Sequence, residues 1–399
     1  MFSSLSVRNF RIYWFGMLVS LIGTWIQAVA QSWLVFELTR SAFLLGLVGF
    51  LSSIPVFLLS LFGGVLADRM NKRNILITTQ TAFMLLAFLL AYLTQMKLIT
   101  PKDIMFIALL NGVVMAFDAP SRQAVVVELV GKENLFNAIV LNSVAFNSSR
   151  IIGPALAGVL VATIGMSGCF YLNGISFLVV IFALFLIKTK KGSESNKNNN
   201  ALADLIDGLV FVKNNRLILA LVSIVGVVSL FGVSYVILMP IFAHNILKVG
   251  IRGLGVLMSS SGLGALMGAL ILAYLGDFKY KGRFLFVSSL VFSFALILFS
   301  LSRIYLVSIV ALIFIGGSSV TAVALINTIL QTRVVDAFRG RVMSVFMLTF
   351  AGMMPFGNLI SGVLAQALGV SSAILIGGII CTVFFAIINT VYPQIRDIQ

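Results

Sequence analysis

The chain is dominated by long apolar runs that short polar segments separate. An α-helix needs about 20 mainly apolar residues to cross the hydrocarbon core of a bilayer, and twelve runs of about that length or longer follow one another. They cover residues 10–38, 42–67, 74–95, 102–122, 136–164, 167–188, 216–246, 254–275, 283–301, 305–331, 340–368 and 371–392. Because a spanning segment must satisfy its backbone hydrogen bonds internally, the pattern predicts an all-α integral membrane protein with twelve transmembrane helices.

The positive charges are distributed unevenly along this pattern. Only 10% of the residues are charged, against about 25% in soluble proteins, yet the net charge is +15. With a cytoplasmic N-terminus, twenty of the 27 Lys and Arg residues fall in cytoplasmic segments and six in outer segments. The positive-inside rule therefore predicts a multi-pass membrane protein with both termini in the cytoplasm. The net charge then reflects topology rather than nucleic-acid binding.

A polar segment separates the first six runs from the last six. Residues 189–200 read TKKGSESNKNNN, a composition typical of a flexible linker. Residues 201–213 carry apolar side chains at helical spacing, which predicts a short amphipathic helix at the cytoplasmic membrane surface. The predicted domains are a six-helix bundle over 1–188, a linker with its helix over 189–215, and a second six-helix bundle over 216–399.

Three short stretches recur in the two halves in the same order. Asp68 corresponds to Asp277 between runs 8 and 9, residues 123–128 correspond to 331–336, and residues 158–165 correspond to 362–369. The order of the matches predicts two homologous halves. Parallel six-helix halves place a substrate site near the bilayer midplane, where the halves meet.

The polar turn between runs 2 and 3 carries a recognisable motif, Gly64-Val-Leu-Ala-Asp-Arg-Met-Asn-Lys-Arg73. It resembles the signature loop of the major facilitator superfamily, which implies two pseudo-symmetric six-helix bundles. The matching residues are Gly64, Leu66, Ala67, Asp68, Arg69, Lys72 and Arg73. Asn71 replaces the usual glycine, and Asn is the next residue to tolerate a left-handed turn. The resemblance implies a cytoplasmic conformational gate made of Gly64, Asp68, Arg69, Arg73, Arg122, Asp277 and Arg341.

A second motif lies in helix 5, Ser149-Arg-Ile-Ile-Gly-Pro-Ala-Leu-Ala-Gly158. It resembles the antiporter motif of exporting branches of the superfamily. Gly153, Pro154 and Gly158 match, while small residues replace two further glycines. Small residues let helices approach closely, so the stretch predicts a packing seam, and the resemblance implies export.

Four stretches of the first half are similar to one branch of the superfamily, which holds enterobactin-type siderophore exporters and macrolide efflux proteins. They are residues 8–11 (RNFR), 31–39 (QSWLVFELT), 118–123 (DAPSRQ) and 137–142 (NAIVLN). This resemblance implies a monomeric secondary transporter of a bacterial inner membrane. It would move a bulky amphipathic small molecule, such as a drug or siderophore, outward in exchange for protons. Both the molecule and the proton are expected to be partners.

Ionisable groups inside the predicted spans are candidate functional groups. An Arg near the middle of a span, such as Arg150, is unfavourable by roughly 2.5–3.5 kcal/mol, so it needs a partner or a water-filled cavity. Asp118 in helix 4 is the expected partner, and the pair has either a structural role or a role in substrate or proton binding. Asp118 is the first candidate for proton coupling, and Glu37 is the second.

Uncharged polar residues are candidates for lining the substrate cavity. Gln27 and Gln31 are four residues apart and share one face of helix 1. The other candidates are Asn111, Tyr235, Asn327 and Asn358. Each of them could instead hold two helices together by a hydrogen bond, worth about 0.6 kcal/mol on average.

Several chemistries lack the residues that they require. No Gly-rich loop with GK[ST] points to ATP, and no His, Cys and acidic cluster points to a metal. No nucleophile–base pair points to an enzyme, so neither a cofactor nor catalysis is expected. The alternatives to drug or siderophore export are a lipid or lysolipid transporter on the same fold, a metal exporter, and a non-transporting membrane sensor.

Overall fold

The computed structural model describes residues 3–187, 201–276 and 278–398, and all regular structure in these ranges is helical. A one-turn helix, Ser3–Ser6, precedes the first spanning helix. The spanning helices of the first half begin with α1 (Arg8–Thr39), α2 (Ala42–Arg69) and α3 (Lys72–Gln95). They continue with α4 (Pro101–Gly131) and a helical stretch over Glu133–Leu186.

The stretch Glu133–Leu186 holds two spans rather than one. At about 1.5 Å per residue, its 54 residues would measure roughly 80 Å as a single helix, more than twice the hydrocarbon thickness of a bilayer. Gly165 interrupts it with φ 75° and ψ 175°, a conformation that glycine adopts readily. We therefore divide the stretch into α5 (133–164) and α6 (166–186).

The second half begins with an amphipathic helix, Ala201–Asn214, here called the linker helix. The spanning helices that follow are α7 (Arg216–Ile246), α8 (Gly250–Leu275), α9 (Lys281–Leu301), α10 (Tyr305–Arg333), α11 (Asp336–Leu368) and α12 (Val370–Val391). Eleven helices in the described ranges are long and apolar enough to cross a membrane. The break at Gly165 brings the number of spans to twelve, which confirms the predicted fold class.

The turn between α2 and α3 differs from its prediction in one respect. Asn71 has an extended backbone, with φ −66° and ψ 113°, rather than a left-handed one. Its side-chain oxygen accepts hydrogen bonds from the backbone N–H groups of Arg73 and Asn74 at 3.0 and 3.4 Å. Asn71 is therefore the N-cap of α3, a position at which Asn is strongly preferred. Asn71 therefore suits this turn because its side chain caps the helix that follows.

The described chain forms two compact units, and each takes in a short segment from the other half of the sequence. Unit 1 consists of Met1–Arg40, Leu51–Lys197 and Ile251–Ser259. Unit 2 consists of Ser41–Phe50, Asn198–Gly250 and Ser260–Gln399. The start of α2 thus packs within unit 2, and the start of α8 packs within unit 1. The predicted linker, 189–200, lies outside the described residues.

Helix α7, in unit 2, contains two short π-helical segments, Val228–Gly232 and Phe242–Ile246. A π turn adds one residue to a helical turn and often marks a functional position. The first segment is packed tightly, because a Cβ on Gly377 would lie 2.5 Å from the carbonyl oxygen of Phe231. Glycine at position 377 of α12 therefore allows the π segment to fit.

Candidate transport site and gates

Two basic residues of the signature loop, Lys72 and Arg73, join helices of unit 1 to one another. Arg73 donates from Nε to the carbonyl oxygen of Leu184 at 2.6 Å and from Nη2 to that of Phe185 at 3.2 Å. Both carbonyls belong to the last turn of α6, where a cation is favoured by the helix dipole. Lys72 forms a 2.7 Å salt bridge with Glu128 near the end of α4. These two contacts join α3 to α6 and to α4.

The other predicted gate residues are described to different extents. Gly64 lies within α2, where an added Cβ would meet nothing within 4 Å, and Arg69 is exposed at the end of the same helix. The side chain of Asp68 and the whole of Asp277 lie outside the described residues. In unit 2, Arg341 forms a 3.3 Å salt bridge with Asp207 of the linker helix, and its guanidinium lies over the Phe338 ring.

Asp118 is the centre of a buried polar cluster in unit 1. One carboxylate oxygen accepts hydrogen bonds from the Thr79 hydroxyl and the Gln80 amide of α3, each at 2.7 Å. The other oxygen accepts the Arg122 guanidinium, which lies one turn further along α4. The sequence led us to expect Arg150 as the partner of Asp118. In the structure, Asp118 pairs with Arg122 instead. An i,i+4 pair on one helix face already satisfies the carboxylate.

Oε1 of Gln80 is buried in this cluster and has no hydrogen-bond partner among the described residues. Tyr13 is almost fully buried in α1 and lies against the Arg122 guanidinium. A buried polar atom without a partner costs about 1–3 kcal/mol, so such a cluster suits a place where protein contacts change. We call Tyr13, Thr79, Gln80, Asp118 and Arg122 the Asp118 cluster.

A side chain from α11 completes the N-terminal cap of α2 within unit 2. Oε1 of Gln366 accepts hydrogen bonds from the backbone N–H groups of Ala42 at 3.0 Å and Phe43 at 3.4 Å, and from the Ser41 hydroxyl at 3.0 Å. The Ser41 oxygen in turn accepts from the N–H of Leu44 at 3.3 Å. The first N–H groups of a helix have no intrahelical partner, and here one amide oxygen serves two of them.

Below this cap, α2 and α11 approach through small residues. A Cβ on Gly46 would lie 2.6 Å from the carbonyl oxygen of Asn358 and 2.8 Å from Cα of Gly362. Asn358, a candidate either for lining the cavity or for holding two helices together, is buried against Gly49 in this seam. Gly46 and Gly362 therefore form a seam in which the two backbones touch, a geometry that small residues allow, and Gly49 leaves room for the Asn358 side chain.

The antiporter-like motif of α5 forms a corresponding seam within unit 1. A Cβ on Gly158 would lie 3.1 Å from the carbonyl oxygen of Arg252, at the start of α8. Pro154 packs by its carbonyl against Gly255, and the Ser259 hydroxyl donates to the carbonyl oxygen of Ile151 at 2.6 Å. Gly153 instead faces α1, where Trp25 and the carbonyl oxygen of Ile22 lie. The motif thus packs α5 against two other helices.

The chain matches a known protein family over almost its whole length. The transmembrane secretion effector family, a group of major facilitator superfamily proteins, matches residues 1–398. The protein belongs to this family. It is a transporter and not an enzyme, and members of the superfamily bind small molecules within the membrane.

The transporter is similar in sequence to siderophore transporters and similar in structure to other transporters. It is 29% identical over 376 residues to a staphyloferrin A transporter of Staphylococcus aureus, with 92% of this chain and 93% of the relative covered. It is 25% identical over 337 residues to an enterobactin exporter of Shigella boydii, with 84% and 79% covered. The solved structure of the nucleoside transporter NupG covers 96% of this chain and 99% of its own, with a TM-score of 0.78 at 13% identity. The structural likeness shows the fold.

The remaining predicted site residues occupy varied positions in the transporter. Gln27 accepts a 2.8 Å hydrogen bond from Asn173 of α6, and Tyr235 shares a 2.9 Å hydrogen bond with Ser261 of α8. Asn327 accepts from Gln331, and Glu37 accepts from the Trp33 indole, each at 2.6 Å. These contacts join helices in the first two cases and lie within one helix in the last two. Gln31 and Asn111 are half-buried.

The described residues offer no group of three or more His, Cys, Asp or Glu side chains that could hold a metal ion. Cys169 and Cys381 are both buried. Sequence reasoning missed Tyr13, Thr79, Gln80 and Gln366. The signal that could have identified Thr79 and Gln80 is the polar stretch Thr78-Thr-Gln-Thr81 within an apolar run.

Proposed function

We propose that the protein is a secondary active exporter that moves a bulky amphipathic small molecule, of drug or siderophore type, out of a bacterial cell. The family places it among transporters. The direction and the kind of substrate are supported by the relatives, which include an enterobactin exporter and a staphyloferrin A transporter. The antiporter-like motif at Gly153, Pro154 and Gly158 supports export as well.

The observation that carries the proposal is the presence of two seams of close contact at glycine residues. Gly46 meets Gly362 where α2 begins, and Gly158 meets Arg252 where α8 begins. Backbones that touch through glycine carry few interdigitated side chains, so such contacts can separate and form again. With both termini in the cytoplasm, the starts of α2 and α8 lie at the outer face, and their separation would open an outer gate.

The inner gate of this proposal consists of Gly64, Asp68, Arg69, Arg73, Arg122, Asp277 and Arg341. Asp68 would stabilise the outward-open state through contacts with the start of α11, because a carboxylate is favoured at a helix N-terminus. Opening and closing of the two gates in turn gives alternating access. The protein would act as a monomer, because the fold provides both gates in one chain.

Proton antiport through Asp118 would drive export. Asp118 is a fully buried carboxylate that links α3 to α4 through Thr79, Gln80 and Arg122. A proton on its oxygen would weaken the pair with Arg122 and release contacts in the Asp118 cluster. Proton binding would thereby change the packing of α4 within unit 1. Glu37, which accepts from Trp33 near the end of α1, is the second candidate.

Reconstitution tests this function. Purified protein in proteoliposomes should move enterobactin or staphyloferrin A against its concentration gradient when a proton gradient is imposed, and the Asp118→Asn variant should bind the same molecule without gradient-driven movement. A Thr328→Val variant, which alters an exposed hydroxyl of α10, serves as a control. Full-rate gradient-driven transport by Asp118→Asn would exclude Asp118 as the coupling residue. Movement of lysolipids alone would favour a lipid transporter.

A further inference from the structure

A polar stripe on α5 points to the charge of the substrate. Ser143, Asn147 and Arg150 follow one another at spacings of four and three residues, so they lie on one face of the helix. All three are at least partly exposed to solvent. The amide of Asn147 donates to the carbonyl oxygen of Ser143 at 2.8 Å. We call these three residues the α5 stripe.

The neighbours of α5 define where this stripe faces. Phe146 and Gly153 mark the side towards α1, because both meet Trp25. Ile151 and Gly158 mark the side towards the start of α8. At 100° per residue, the α5 stripe falls between these two sides.

The opposite face of α5 is the one that suits lipid. Ile152 and Val159 are 43% and 55% exposed and lie about half a turn away from the α5 stripe. A stripe with an arginine would be costly against acyl chains. The stripe therefore faces away from the side that suits lipid and lies between the contacts of α5 with α1 and with α8.

Arg150 gives this surface its chemistry. Asp118, the acid expected to pair with it, is bound by Arg122, Thr79 and Gln80. Arg150 takes part in an interaction of its own. A guanidinium has five N–H donors in a planar fork, so it can hold a second group as well.

We propose that the α5 stripe is an anion-binding subsite of the transport pathway, in which Arg150 binds a carboxylate or another acidic oxygen group of the substrate and Asn147 supplies a further hydrogen bond. This inference rests on the proposed function and narrows it to anionic amphipathic molecules. A guanidinium pairs with a carboxylate through two parallel hydrogen bonds, which fixes the orientation of the bound molecule as well as its charge.

Two dyes with the same fused-ring skeleton test the proposal. Fluorescein is an anion above neutral pH, and rhodamine 123 is a cation of similar size. Binding of each dye to the purified, detergent-solubilised protein is measured by fluorescence anisotropy. We expect the wild type to bind fluorescein more tightly than rhodamine 123, and unlabelled anion to displace it. Arg150→Gln should weaken fluorescein binding by about tenfold to a hundredfold and leave rhodamine 123 binding unchanged or tighter.

Variants separate charge from folding. Arg150→Lys keeps the charge but loses the planar fork, so it should weaken fluorescein binding less than Arg150→Gln does. Arg333→Gln removes an exposed arginine at the end of α10 and should change neither dye. If Arg150→Gln does not fold, as judged by its unfolding midpoint, the wild-type preference between the two dyes and the Arg150→Lys variant still decide the matter.

The outcomes distinguish this inference from the proposed function. The anion subsite would be overturned if the wild type preferred rhodamine 123 or bound neither dye. It would also be overturned if the Arg150→Gln variant bound fluorescein within twofold of the wild type. Export of rhodamine 123 alone from proteoliposomes would leave export standing without the subsite. Arg150-dependent binding of fluorescein without transport would support the subsite and contradict export.

Discussion

The side-chain oxygen of Gln366 in α11 accepts the backbone N–H of Ala42 at 3.0 Å, so α11 caps the start of α2 within unit 2. The same oxygen also receives Phe43 N–H and the Ser41 hydroxyl. Separation of α2 from α11 must give up all three bonds at once. Each is worth about 0.5–1.5 kcal/mol net, so the loss of all three would oppose this separation.

We predict that Gln366→Leu favours separation of α2 from α11, by roughly 5- to 150-fold in the population. Gln366→Glu should oppose it, because an anion at a helix N-terminus is favoured by the dipole. The measurement is the rate at which an impermeant thiol reagent, added from outside, labels a cysteine at the buried position of Leu45, in a background without Cys169 and Cys381.

The control for this series is Gln331→Leu, which removes a glutamine whose side chain donates to Asn327 within α10. It should leave the labelling rate unchanged. Equal labelling of Gln366→Leu and Gln366→Glu would show that the cap does not limit opening.

The pair of Asp118 and Arg122 leads to a second prediction. Removing one member of a buried ion pair leaves the other uncompensated and costs about 3–5 kcal/mol. Asp118→Asn and Arg122→Gln should each destabilise the protein, and the double variant should lose less than their sum by roughly 0.5–3 kcal/mol. The free energy of unfolding is measured by denaturant titration in detergent micelles.

The same cycle with Arg150 provides the contrast. Since Asp118 bonds to Arg122 and α3 rather than to Arg150, the effects of Asp118→Asn and Arg150→Gln should add to within about 0.5 kcal/mol. A coupling energy between Asp118 and Arg150 as large as that between Asp118 and Arg122 would contradict the pairing seen in the structure.

The fold was predictable because hydropathy acts over whole segments, whereas the site contacts depend on single neighbours. Length and apolar composition define each span without reference to any other. The partner of Asp118 depends on how α3 lies against α4, and the sequence contains two arginines at helical positions that could serve. Arg122 serves because one turn of the same helix holds it in place, and Thr79 and Gln80 complete the site from α3.

The partners of Gln366 and Gln27 likewise could not be predicted from the sequence. A cap supplied by a different helix cannot be recognised until the start of α2 is known to lie beside α11. Gln27 was a candidate either for lining a cavity or for joining two helices, and its bond to Asn173 depends on the packing of α1 against α6. Polar residues in a span indicate that a partner exists, and only the tertiary structure identifies that partner.

Two glycines of the same helix should respond oppositely to alanine. In α2, a Cβ at Gly46 would lie 2.8 Å from Cα of Gly362, whereas a Cβ at Gly64 would meet nothing within 4 Å. Gly46→Ala should lower the free energy of unfolding by about 1–3 kcal/mol through overpacking. Gly64→Ala should raise it by roughly 0.5–1 kcal/mol, because alanine is the better helix former.

The unfolding midpoints of the two alanine variants are compared with that of the wild type in the same detergent. If the unfolding midpoint changed equally in the two variants, the close backbone contact would not be the reason for glycine at position 46. A lower transport rate of Gly64→Ala at normal stability would instead support the predicted gate role of this residue.

The gate role of Asp68 is tested from the cytoplasmic side. If its carboxylate stabilises the outward-open state, Asp68→Asn should shift the population towards the inward-open state. The expected result is faster labelling of a cysteine at the position of Asn147, which lies on the α5 stripe, by a thiol reagent in inverted vesicles. Asp68→Glu keeps the charge and serves as the control. An unchanged labelling rate in Asp68→Asn would remove Asp68 from the gate.

The linker helix provides the last prediction, because its two faces differ. One face packs on α11, where the rings of Phe211 and Phe338 stack at 4.4 Å and Asp207 pairs with Arg341 at 3.3 Å. The other face carries Ile206 and Val210, which are 59% and 52% exposed. An amphipathic helix with such a face lies in the membrane interface, with its apolar side about 5–10 Å into the headgroup and acyl boundary.

A fluorophore attached to a cysteine at position 210 in liposomes should therefore be quenched by lipids with brominated acyl chains. The same fluorophore at position 214, where the exposed Asn214 ends the helix, should be quenched less. Ile206→Asn should reduce the quenching at position 210, because it lowers the apolar area available for burial. Equal quenching at the two positions would show that the linker helix does not lie with this face in the bilayer, and the exposed side chains would then have to be covered in another way.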